Sequence, residues 1–291
     1  MILPVPAAGE GPLAIICGGG ALPLAVADAV VRRGRDVVLF PLRGWVDPQA
    51  VARYPHRFIE VGQLGRFRRL LNEAGCHDVV MIGTVLRPAL TQIRLDWQTI
   101  RQLPKAIAMF RGGDDRLLSG LGRILEDHGF RVVGAHEVAP EVLMPEGAIG
   151  RREPTQRERA DIACGLAVLA AMGRFDIGQA VVIADNHVLA VEAAEGTDHV
   201  LARIAALRGE GRIRNPIGTG VLVKAPKASQ DRRFDLPTIG PQTVAGASRA
   251  GLAGIAVTAG AAIIAEPAQV GAAADAAGIF VAGIAPEGSG R

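Results

Sequence analysis

The stretch that most constrains the fold is an apolar run that ends in three glycines and is followed by a helical pattern and a second apolar run. Leu13–Cys17 is apolar throughout, Gly18, Gly19 and Gly20 follow at once, and Pro23 suits the first turn of a helix to about residue 33. Residues 36–41 then have the composition of a strand. This order predicts a strand–helix–strand unit of the nucleotide-binding type, in which amides at a helix N-terminus meet a phosphate.

The glycines fit a dinucleotide fingerprint only in part. Gly18 and Gly20 match its first two positions, but Pro23 stands where the third glycine belongs, and the second strand ends without an acidic residue. An NAD site is therefore not expected. The turn remains open to two interpretations, an anion-binding turn or a plain tight turn.

A second glycine turn is expected at the same edge of the sheet. Residues 78–82 form an apolar strand that ends in Gly83 and Thr84, with Arg87 shortly after. In parallel sheets, ligand-binding groups collect just beyond the carboxyl ends of the strands. We therefore predict a binding surface that contains Gly18, Gly19, Gly20, Thr84 and Arg87.

Four further segments of the first half have a structural interpretation, and two of them have a functional interpretation as well. Asp114 and Asp115 begin a well-patterned helix, where carboxylates serve ordinary capping but could also bind a ligand. Residues 65–74 form a basic helix, which fits a solvated face better than a lipid-facing patch. Residues 58–61 and 131–134 are predicted strands.

The pattern predicts an α/β protein of two domains: an N-terminal Rossmann-like parallel sheet and a C-terminal mixed α/β domain. The boundaries are 1–135 for the first domain, 136–154 for a linker rich in proline and glycine, and 155–291 for the second. In the second domain we expect a helix from residue 155 to 172, a hairpin about Asp185 and Asn186, and a strand over residues 220–224.

Composition excludes several classes of function. The net charge of +3 and the 4% aromatic content do not favour nucleic-acid binding. Cys17, Cys76 and Cys164 are far apart, as expected of reduced thiols in a cytoplasmic protein. The first ten residues lack the pattern of a signal peptide, and the uncharged stretch 250–265 is too short to span a membrane. We read this stretch as the end of a helix, a strand over residues 254–258, a turn and a strand over residues 262–265.

Common hydrolytic templates are absent from the sequence. None of the four serines lies in GxSxG, no P-loop motif occurs, and the six histidines show no zinc-ligand spacing. What remains is a set of carboxylates and cations in the second domain.

These carboxylates and cations suggest metal-assisted phosphoryl chemistry. Asp231 and Asp235 offer hard oxygen ligands for Mg²⁺, and neighbouring cations could neutralise phosphate oxygens. The set comprises Glu192, Glu195, Asp198, Lys224, Lys227, Gln230, Asp231, Arg233 and Asp235. Two alternatives stay open: residues 224–240 could be a surface loop with internal ion pairs, or the protein could bind a nucleotide or phosphate ligand as a regulator without chemistry.

Five motifs give the chain a family resemblance over nearly its whole length. They are Gly18-Gly19-Gly20-x-x-Pro23, Gly83-Thr84-Val85-x-Arg87-Pro88, Gly113-Asp114-Asp115-x-Leu117-Leu118, Glu192-x-x-Glu195-Gly196-Thr197-Asp198 and Gln230-Asp231-x-Arg233-x-Asp235-Leu236-Pro237-x-Ile239-Gly240. The chain resembles the UDP-2,3-diacylglucosamine pyrophosphatase family of lipid A biosynthesis, of the type unrelated to calcineurin-like phosphoesterases. One departure is Ala228, where a proline is more usual.

The resemblance implies an activity and a set of roles. It implies Mg²⁺-dependent hydrolysis (with Mn²⁺ as a substitute) of UDP-2,3-diacylglucosamine to UMP and 2,3-diacylglucosamine 1-phosphate, with water attacking the sugar-side phosphorus. It also implies a cytoplasmic homodimer, peripheral to the inner membrane, with the substrate between the domains. The metal ligands would be Asp231 and Asp235, and Glu192 or Glu195 would activate water. Substrate would be bound by Gly18, Gly19, Gly20, Thr84, Arg87, Asp114, Asp115, Thr197, Lys224, Lys227, Gln230 and Arg233.

Overall fold

The structure is a computed structural model that describes residues 11–85, 96, 97, 99, 114–175, 177–227 and 230–285, with the backbone alone for 114–117. The chain forms two compact units. The first contains the residues up to Val142 together with Asp231–Asp235, and the second contains Leu143–Gln230 together with the residues from Leu236 onward. A short segment from late in the sequence thus belongs to the N-terminal unit.

The first unit is built on a parallel sheet of four strands in the order β2–β1–β3–β4. The strands are β1 (Leu13–Cys17), β2 (Val37–Pro41), β3 (Asp78–Ile82) and β4 (Arg131–Val132). The helices are α1 (Leu22–Arg32), α2 (Pro48–Val51), α3 (Leu64–Glu73), α4 (Asp114–Glu126) and α5 (Ala135–Val138), followed by a 3-10 turn at Pro140–Val142. The predicted Rossmann-like parallel sheet is confirmed.

Alternation along the strands explains the core of the first unit. Ala14 and Ile16 of β1 point to the same side of the sheet, where they join Phe67 of α3 and Leu125 of α4 in one buried cluster. The remaining strand positions of β1 are buried as well, as expected of a strand covered on both faces.

The prediction of a strand at residues 58–61 is wrong. This part of the chain makes only two isolated bridges, one to β2 and one to the residue that follows β2. The bridges join Leu39 to His56 and Leu42 to Ile59. Hydrogen bonds run from Arg57 N to Leu39 O and from Ile59 N to Pro41 O. The intervening rung would need an N–H on Pro41, and proline has none, so no continuous ladder forms. The predicted strand at 131–134 is shorter than expected and ends at Val132.

The second unit contains a mixed sheet of six strands in the order β5–β12–β10–β8–β6–β7. The strands β8, β10 and β12 are parallel, whereas β5, β6 and β7 each run antiparallel to a neighbour. Their bounds are β5 Gly147–Ile149, β6 Ala180–Ala184, β7 His187–Val191, β8 Val221–Lys224, β10 Gly254–Thr258 and β12 Phe280–Ile284. A separate two-stranded sheet pairs β9 (Thr238–Ile239) with β11 (Ile263–Ile264).

Helices cover both faces of this sheet. One buried cluster joins the sheet to α7 (Thr197–Gly209), α8 (Pro241–Arg249) and α9 (Pro267–Ala277), and another joins it to α6 (Gln156–Met172). A 3-10 turn at Gly173–Phe175 follows α6. The expected hairpin is confirmed: β6 and β7 pair about Asp185 and Asn186, both of which adopt positive φ angles.

The residues predicted to link the domains carry structure of their own. Residues 136–154 contain most of α5, the turn Pro140–Val142 and the strand β5, which pairs with β12. The division between the two units falls between Val142 and Leu143. In the part of the chain that the structure describes, no helix is long and apolar enough to cross a membrane.

Candidate functional site

The two glycine turns of the first unit meet backbone to backbone. Gly18 N donates to Ile82 O at 2.8 Å, Gly19 N donates to Thr84 O at 2.8 Å, and Thr84 N donates to Gly19 O at 2.9 Å. The structure therefore brings together Gly18, Gly19, Gly20 and Thr84, as the sequence predicted. The amide of Gly18 already bonds to the carbonyl of Ile82 at the end of β3, and that of Gly19 to the carbonyl of Thr84 in the second turn.

This approach requires glycine in both turns. A Cβ on Gly18 would lie 2.7 Å from the carbonyl carbon of Gly83, and a Cβ on Gly83 would lie 2.7 Å from that of Gly18. Gly83 also has a φ of +103°, which is unfavourable for residues with a side chain. These glycines are explained by close packing at the carboxyl edge of the sheet.

In the second unit, Glu192 and Lys224 lie at one edge of the six-stranded sheet. Glu192 directly follows β7, and its N–H donates to Ala180 O at 2.9 Å. Ala180 is the registered partner of Lys224, the last residue of β8. Because β7 and β8 both run antiparallel to β6, their carboxyl ends share one edge. The two side chains therefore project from one transverse row of the sheet, on the same face.

Thr197 joins Glu192 to Lys224. Its hydroxyl donates to Glu192 Oε1 at 2.7 Å and accepts from Lys224 Nζ at 2.9 Å, and the same Nζ donates to Thr238 O at 3.0 Å. Glu192 is only 6% exposed and Lys224 only 5% exposed. Buried charged groups need such partners, because desolvation otherwise makes them costly. The sequence predicted all three as site residues but not their hydrogen-bonded order.

Both oxygens of Glu192 are engaged. Oε2 accepts from the backbone N–H of Gln179 at 2.9 Å, in addition to the bond from Thr197 to Oε1. Glu195 differs, since it is only half-buried and forms a 3.1 Å ion pair with Arg203. Backbone amides, including its own and that of Ala193, hold the pKa of the Glu195 carboxyl below its usual value.

Gln230 closes the loop that follows β8. Its Oε1 accepts from Lys227 N at 3.0 Å, and its own N–H donates to Lys227 O at 3.1 Å. Gln230 is buried, so this reciprocal pair gives the loop a defined shape at its base. Ala228 lies outside the described residues, as do Arg87 and the side chains of Asp114 and Asp115.

The segment Asp231–Asp235 packs within the first unit, where Arg233 fastens it. Arg233 donates from Nη2 to Asp231 Oδ2 at 2.8 Å and from Nε to Asp231 Oδ1 at 3.1 Å. Its Nη1 donates to Glu126 Oε1 at 2.6 Å. Phe234 contacts Gly122 so closely that a Cβ there would lie 2.3 Å from the phenyl ring. Asp235 N donates to Asp231 O at 3.3 Å.

These contacts shift the ionisation of both partners. The hydrogen bond from Arg233 lowers the pKa of the Asp231 carboxyl, and this effect outweighs the opposing effect of burial. The bond to Asp231, with that to Glu126, raises the pKa of the Arg233 guanidinium. Asp231 is therefore held in its charged form.

His136 lies beside this segment and was not among the predicted site residues. Its ring folds over Gly134, where a Cβ would lie 2.5 Å from Nδ1, and the Cα of Arg233 lies close to the same point. Nδ1 is buried and has no hydrogen-bond partner among the described residues. Burial, followed by the charge of Arg232, lowers the pKa of the imidazole. Its sequence position in the expected linker gave no signal of this placement.

Asp231 and Asp235 are carboxylates, the hard oxygen donors that suit Mg²⁺, and in this structure both oxygens of Asp231 accept from Arg233. Among the residues that the structure describes, no three His, Cys, Asp or Glu side chains gather as a metal site. Mg²⁺ does not require such a cluster, because it is typically bound by one or two carboxylates, substrate phosphates and water. Asp231 is kept charged, and Asp235 follows four residues later. Two such carboxylates could supply the protein ligands of a Mg²⁺ ion whose other ligands are phosphate oxygens and water.

Comparison with known proteins agrees with these motifs. The family model described as the LpxI N-terminal domain matches residues 12–142, and that of the LpxI C-terminal domain matches residues 145–282. The chain belongs to the LpxI family. The resemblance inferred from the sequence is thereby confirmed. The matched N-terminal region ends at the boundary that separates the two units, and Asp231–Asp235 falls within the matched C-terminal region.

A curated relative covers almost the same length. The LpxI relative from Caulobacter vibrioides, named UDP-2,3-diacylglucosamine pyrophosphatase LpxI, is 42% identical over 275 residues. The alignment spans 94% of this chain and 98% of the relative. Both glycine turns and the whole polar set of residues 192–240 lie within the matched LpxI domains.

Proposed function

We propose that the protein hydrolyses the diphosphate of UDP-2,3-diacylglucosamine to UMP and 2,3-diacylglucosamine 1-phosphate in lipid A biosynthesis. The observation that carries the proposal is the near full-length match to a relative named for this substrate. The water oxygen joins the sugar-side phosphorus, the bond from that phosphorus to the bridging oxygen breaks, and UMP leaves with that oxygen.

Asp231 and Asp235 hold Mg²⁺ in this proposal, and Mn²⁺ can replace it. When bound, the ion neutralises charge on the diphosphate and polarises its oxygens. Arg233 supports this role indirectly, since it keeps Asp231 charged and fixes its orientation. Lys227 and Lys224 neutralise charge that develops on the leaving phosphate.

We assign different roles to the two glutamates. Glu192 is a positioning residue, because both of its oxygens are used to hold Thr197 and the backbone of Gln179. Glu195 also has both oxygens engaged, by Arg203 and by the backbone N–H of Ala193, but its side chain is more exposed than that of Glu192, and it is the one assigned to orient the attacking water. Gly20, Thr84, Arg87, Asp114 and Asp115 contribute substrate binding.

The direct test is release of UMP from UDP-2,3-diacylglucosamine by the purified protein, with added Mg²⁺ and with EDTA. EDTA should abolish release, and Mg²⁺ in excess should restore it. Release that persists in chelator would refute the metal assignment. If the folded protein binds the substrate but releases no UMP under any condition, the non-catalytic regulator is the better description.

Variants test the residue assignment. Asp231→Asn and Asp235→Asn should each lower turnover by roughly 10²–10³-fold with substrate binding largely retained. Asp36→Asn is the matched control, because Asp36 is an exposed carboxylate of the same unit. Hydrolysis in heavy-oxygen water should place the label in the lipid 1-phosphate, and label in UMP would contradict attack at the sugar-side phosphorus.

We also propose that the protein acts as a homodimer in the cytoplasm, at the inner face of the membrane that contains its acylated substrate. Light scattering after size exclusion should give twice the 30.3 kDa chain mass. A monomer at assay concentrations would contradict the dimer.

A further inference from the structure

Four arginines line one cavity of the first unit. The cavity has a volume of about 580 Å³ and is lined by Arg33, Arg35, Arg131 and Arg233. Glu137 contributes the one carboxylate of the lining, and valines of α1, β4 and α5 form apolar walls. The cavity lies within the size range of small-molecule sites.

The carboxylates around this cavity do not occupy all the guanidinium groups. Arg35 and Arg131 share a single carboxylate, that of Asp78, at 2.8 Å and 2.6 Å. Arg33 pairs with Glu141 at 3.0 Å, through a side chain that is 50% exposed. Glu137 Oε1 accepts a hydrogen bond from Gly134 N at 2.7 Å, so one of its carboxylate oxygens already has a backbone partner.

Donors remain on three of the arginines. Arg33 bonds to Glu141 through Nε and Nη2, and Arg131 bonds to Asp78 through the same two atoms. Arg35 uses Nε for Gly11 O and Nη2 for Asp78. Within the described ranges, the Nη1 group of each of these three arginines therefore has no hydrogen-bond partner. The carboxylates of Asp78, Glu137 and Glu141 balance the charge of these three arginines, so the cavity offers unused N–H donors and not a surplus of charge.

We propose that this cavity is a binding site for a phosphate monoester carried on an apolar body. Guanidinium groups with unused N–H donors favour phosphate, whose oxygens accept several charge-assisted hydrogen bonds at once. The volume of about 580 Å³ exceeds that of a bare phosphate, and the valine walls favour an apolar substituent. Arg33, Arg35 and Arg131 have no part in the proposed hydrolysis, and the monoester site rests on these three; Arg233, which also lines the cavity, serves the hydrolytic proposal through Asp231.

The test is calorimetric titration of the full-length protein with hexyl phosphate and with inorganic phosphate. The protein should bind hexyl phosphate more tightly than inorganic phosphate, and Arg33→Gln and Arg131→Gln should each weaken binding by about tenfold or more. Arg131→Gln leaves Asp78 paired with Arg35, so the fold should be kept. Arg53→Gln is the matched control, since Arg53 is an exposed arginine of the same unit that pairs with Asp28 and does not line the cavity.

Two further arms locate the ligand and its source. Lys227→Gln removes a cation of the proposed hydrolytic site and should leave hexyl phosphate binding unchanged. Sedimentation with phosphatidylcholine vesicles that contain phosphatidic acid tests whether the phosphate is a lipid headgroup. If the protein cosediments with the vesicles and Arg33→Gln does not, the ligand is a lipid. If the protein binds hexyl phosphate but does not cosediment, the ligand is a soluble monoester. Equal affinity in the wild type and both cavity variants, or binding lost only in Lys227→Gln, would overturn the proposal.

Discussion

Arg233 holds the carboxylate of Asp231, two residues earlier in the chain, through Nη2 at 2.8 Å and Nε at 3.1 Å. The same guanidinium reaches Glu126 of α4 at 2.6 Å. One arginine therefore orients a proposed metal ligand and fastens the segment Asp231–Asp235 within the first unit. This geometry gives Arg233 a positioning role in addition to the charge that the sequence suggested for it.

Replacing Arg233 by lysine tests this role. Lysine keeps the charge but cannot contact both oxygens of Asp231 and Glu126 at once, since it has one nitrogen in place of the planar fork. We expect turnover of UDP-2,3-diacylglucosamine to fall by about tenfold or more in Arg233→Lys. Glu126→Gln, which retains a hydrogen-bond acceptor for Nη1, should lose less. Wild-type turnover in Arg233→Lys would show that its charge alone is sufficient.

Most strands of the two larger sheets could be predicted because each is a short, apolar run, whereas the three-residue strand β5 in the expected linker could not. Leu13–Cys17, Asp78–Ile82 and Gly254–Thr258 appear with the expected bounds, and glycine or polar residues mark their ends. The false strand at 58–61 has the same composition, but its pairing depends on the N–H that Pro41 of the neighbouring strand lacks. The composition of a segment does not indicate whether the neighbouring strand has the backbone N–H groups that a ladder of hydrogen bonds requires.

The sequence indicated which polar residues belong to the site, but it did not indicate most of the contacts that they make. The carboxylates and cations of residues 192–240 were found because a core strand is followed by many polar groups. That Asp231–Asp235 packs in the first unit was not predictable, because its anchors, Glu126 and Gly122, lie more than a hundred residues away. His136 was missed for the same reason, since nothing beside it in sequence distinguishes it from a linker histidine.

The hydroxyl of Thr197 should be required for the buried pair of Glu192 and Lys224. Thr197→Val keeps the shape but removes the group that donates to Glu192 and accepts from Lys224. Because both partners are buried, we expect the free energy of unfolding to fall by about 2–3 kcal/mol. Urea denaturation measures this change.

Thr197→Ser is the matched variant, since it keeps the hydroxyl and loses one methyl group. It should stay within about 1 kcal/mol of the wild type in the free energy of unfolding. It should also retain most of the turnover, whereas Thr197→Val should lose most of it. Equal stability of the two variants would mean that the hydroxyl bridge contributes nothing.

The meeting of the two glycine turns predicts an asymmetry between glycines with similar backbone angles. Gly83 has a φ of +103° and no room for a Cβ, whereas Gly44 has a φ of +87° and no atom within 4 Å of a Cβ position. Gly44→Ala should cost about 1 kcal/mol of folding free energy from backbone strain alone. Gly83→Ala adds a clash with the backbone of Gly18 and should cost about 2–4 kcal/mol. Thermal unfolding of both variants checks the order, and equal losses would contradict the close packing of the turns.

The ionisation of Asp78 should make the stability of the first unit depend on pH. Its side chain is 4% exposed and bonded by both Arg35 and Arg131. Burial raises the pKa of the Asp78 carboxyl, but the hydrogen bonds and charges of Arg131 and Arg35 outweigh burial, so the net shift is downward. A carboxyl whose pKa is lower in the folded state stabilises the fold above its unfolded pKa, near 3.9. That contribution is lost as the pH falls from there through the lower, folded pKa.

Asp78→Asn should remove this dependence. At pH 7 the variant leaves two guanidiniums without their shared carboxylate, and we expect a loss on the order of 2–4 kcal/mol, limited by the partial exposure of both arginines. Below the folded pKa the wild-type carboxyl is protonated as well, so the difference between the two proteins should shrink as the pH falls. Urea denaturation at pH 7, 5 and 4 measures the difference in unfolding free energy where the carboxyl is charged in the folded state. Acid-induced unfolding below pH 4 measures how that difference decreases. A difference that stays constant down to the acid transition would show that the charge of Asp78 is not what stabilises the unit.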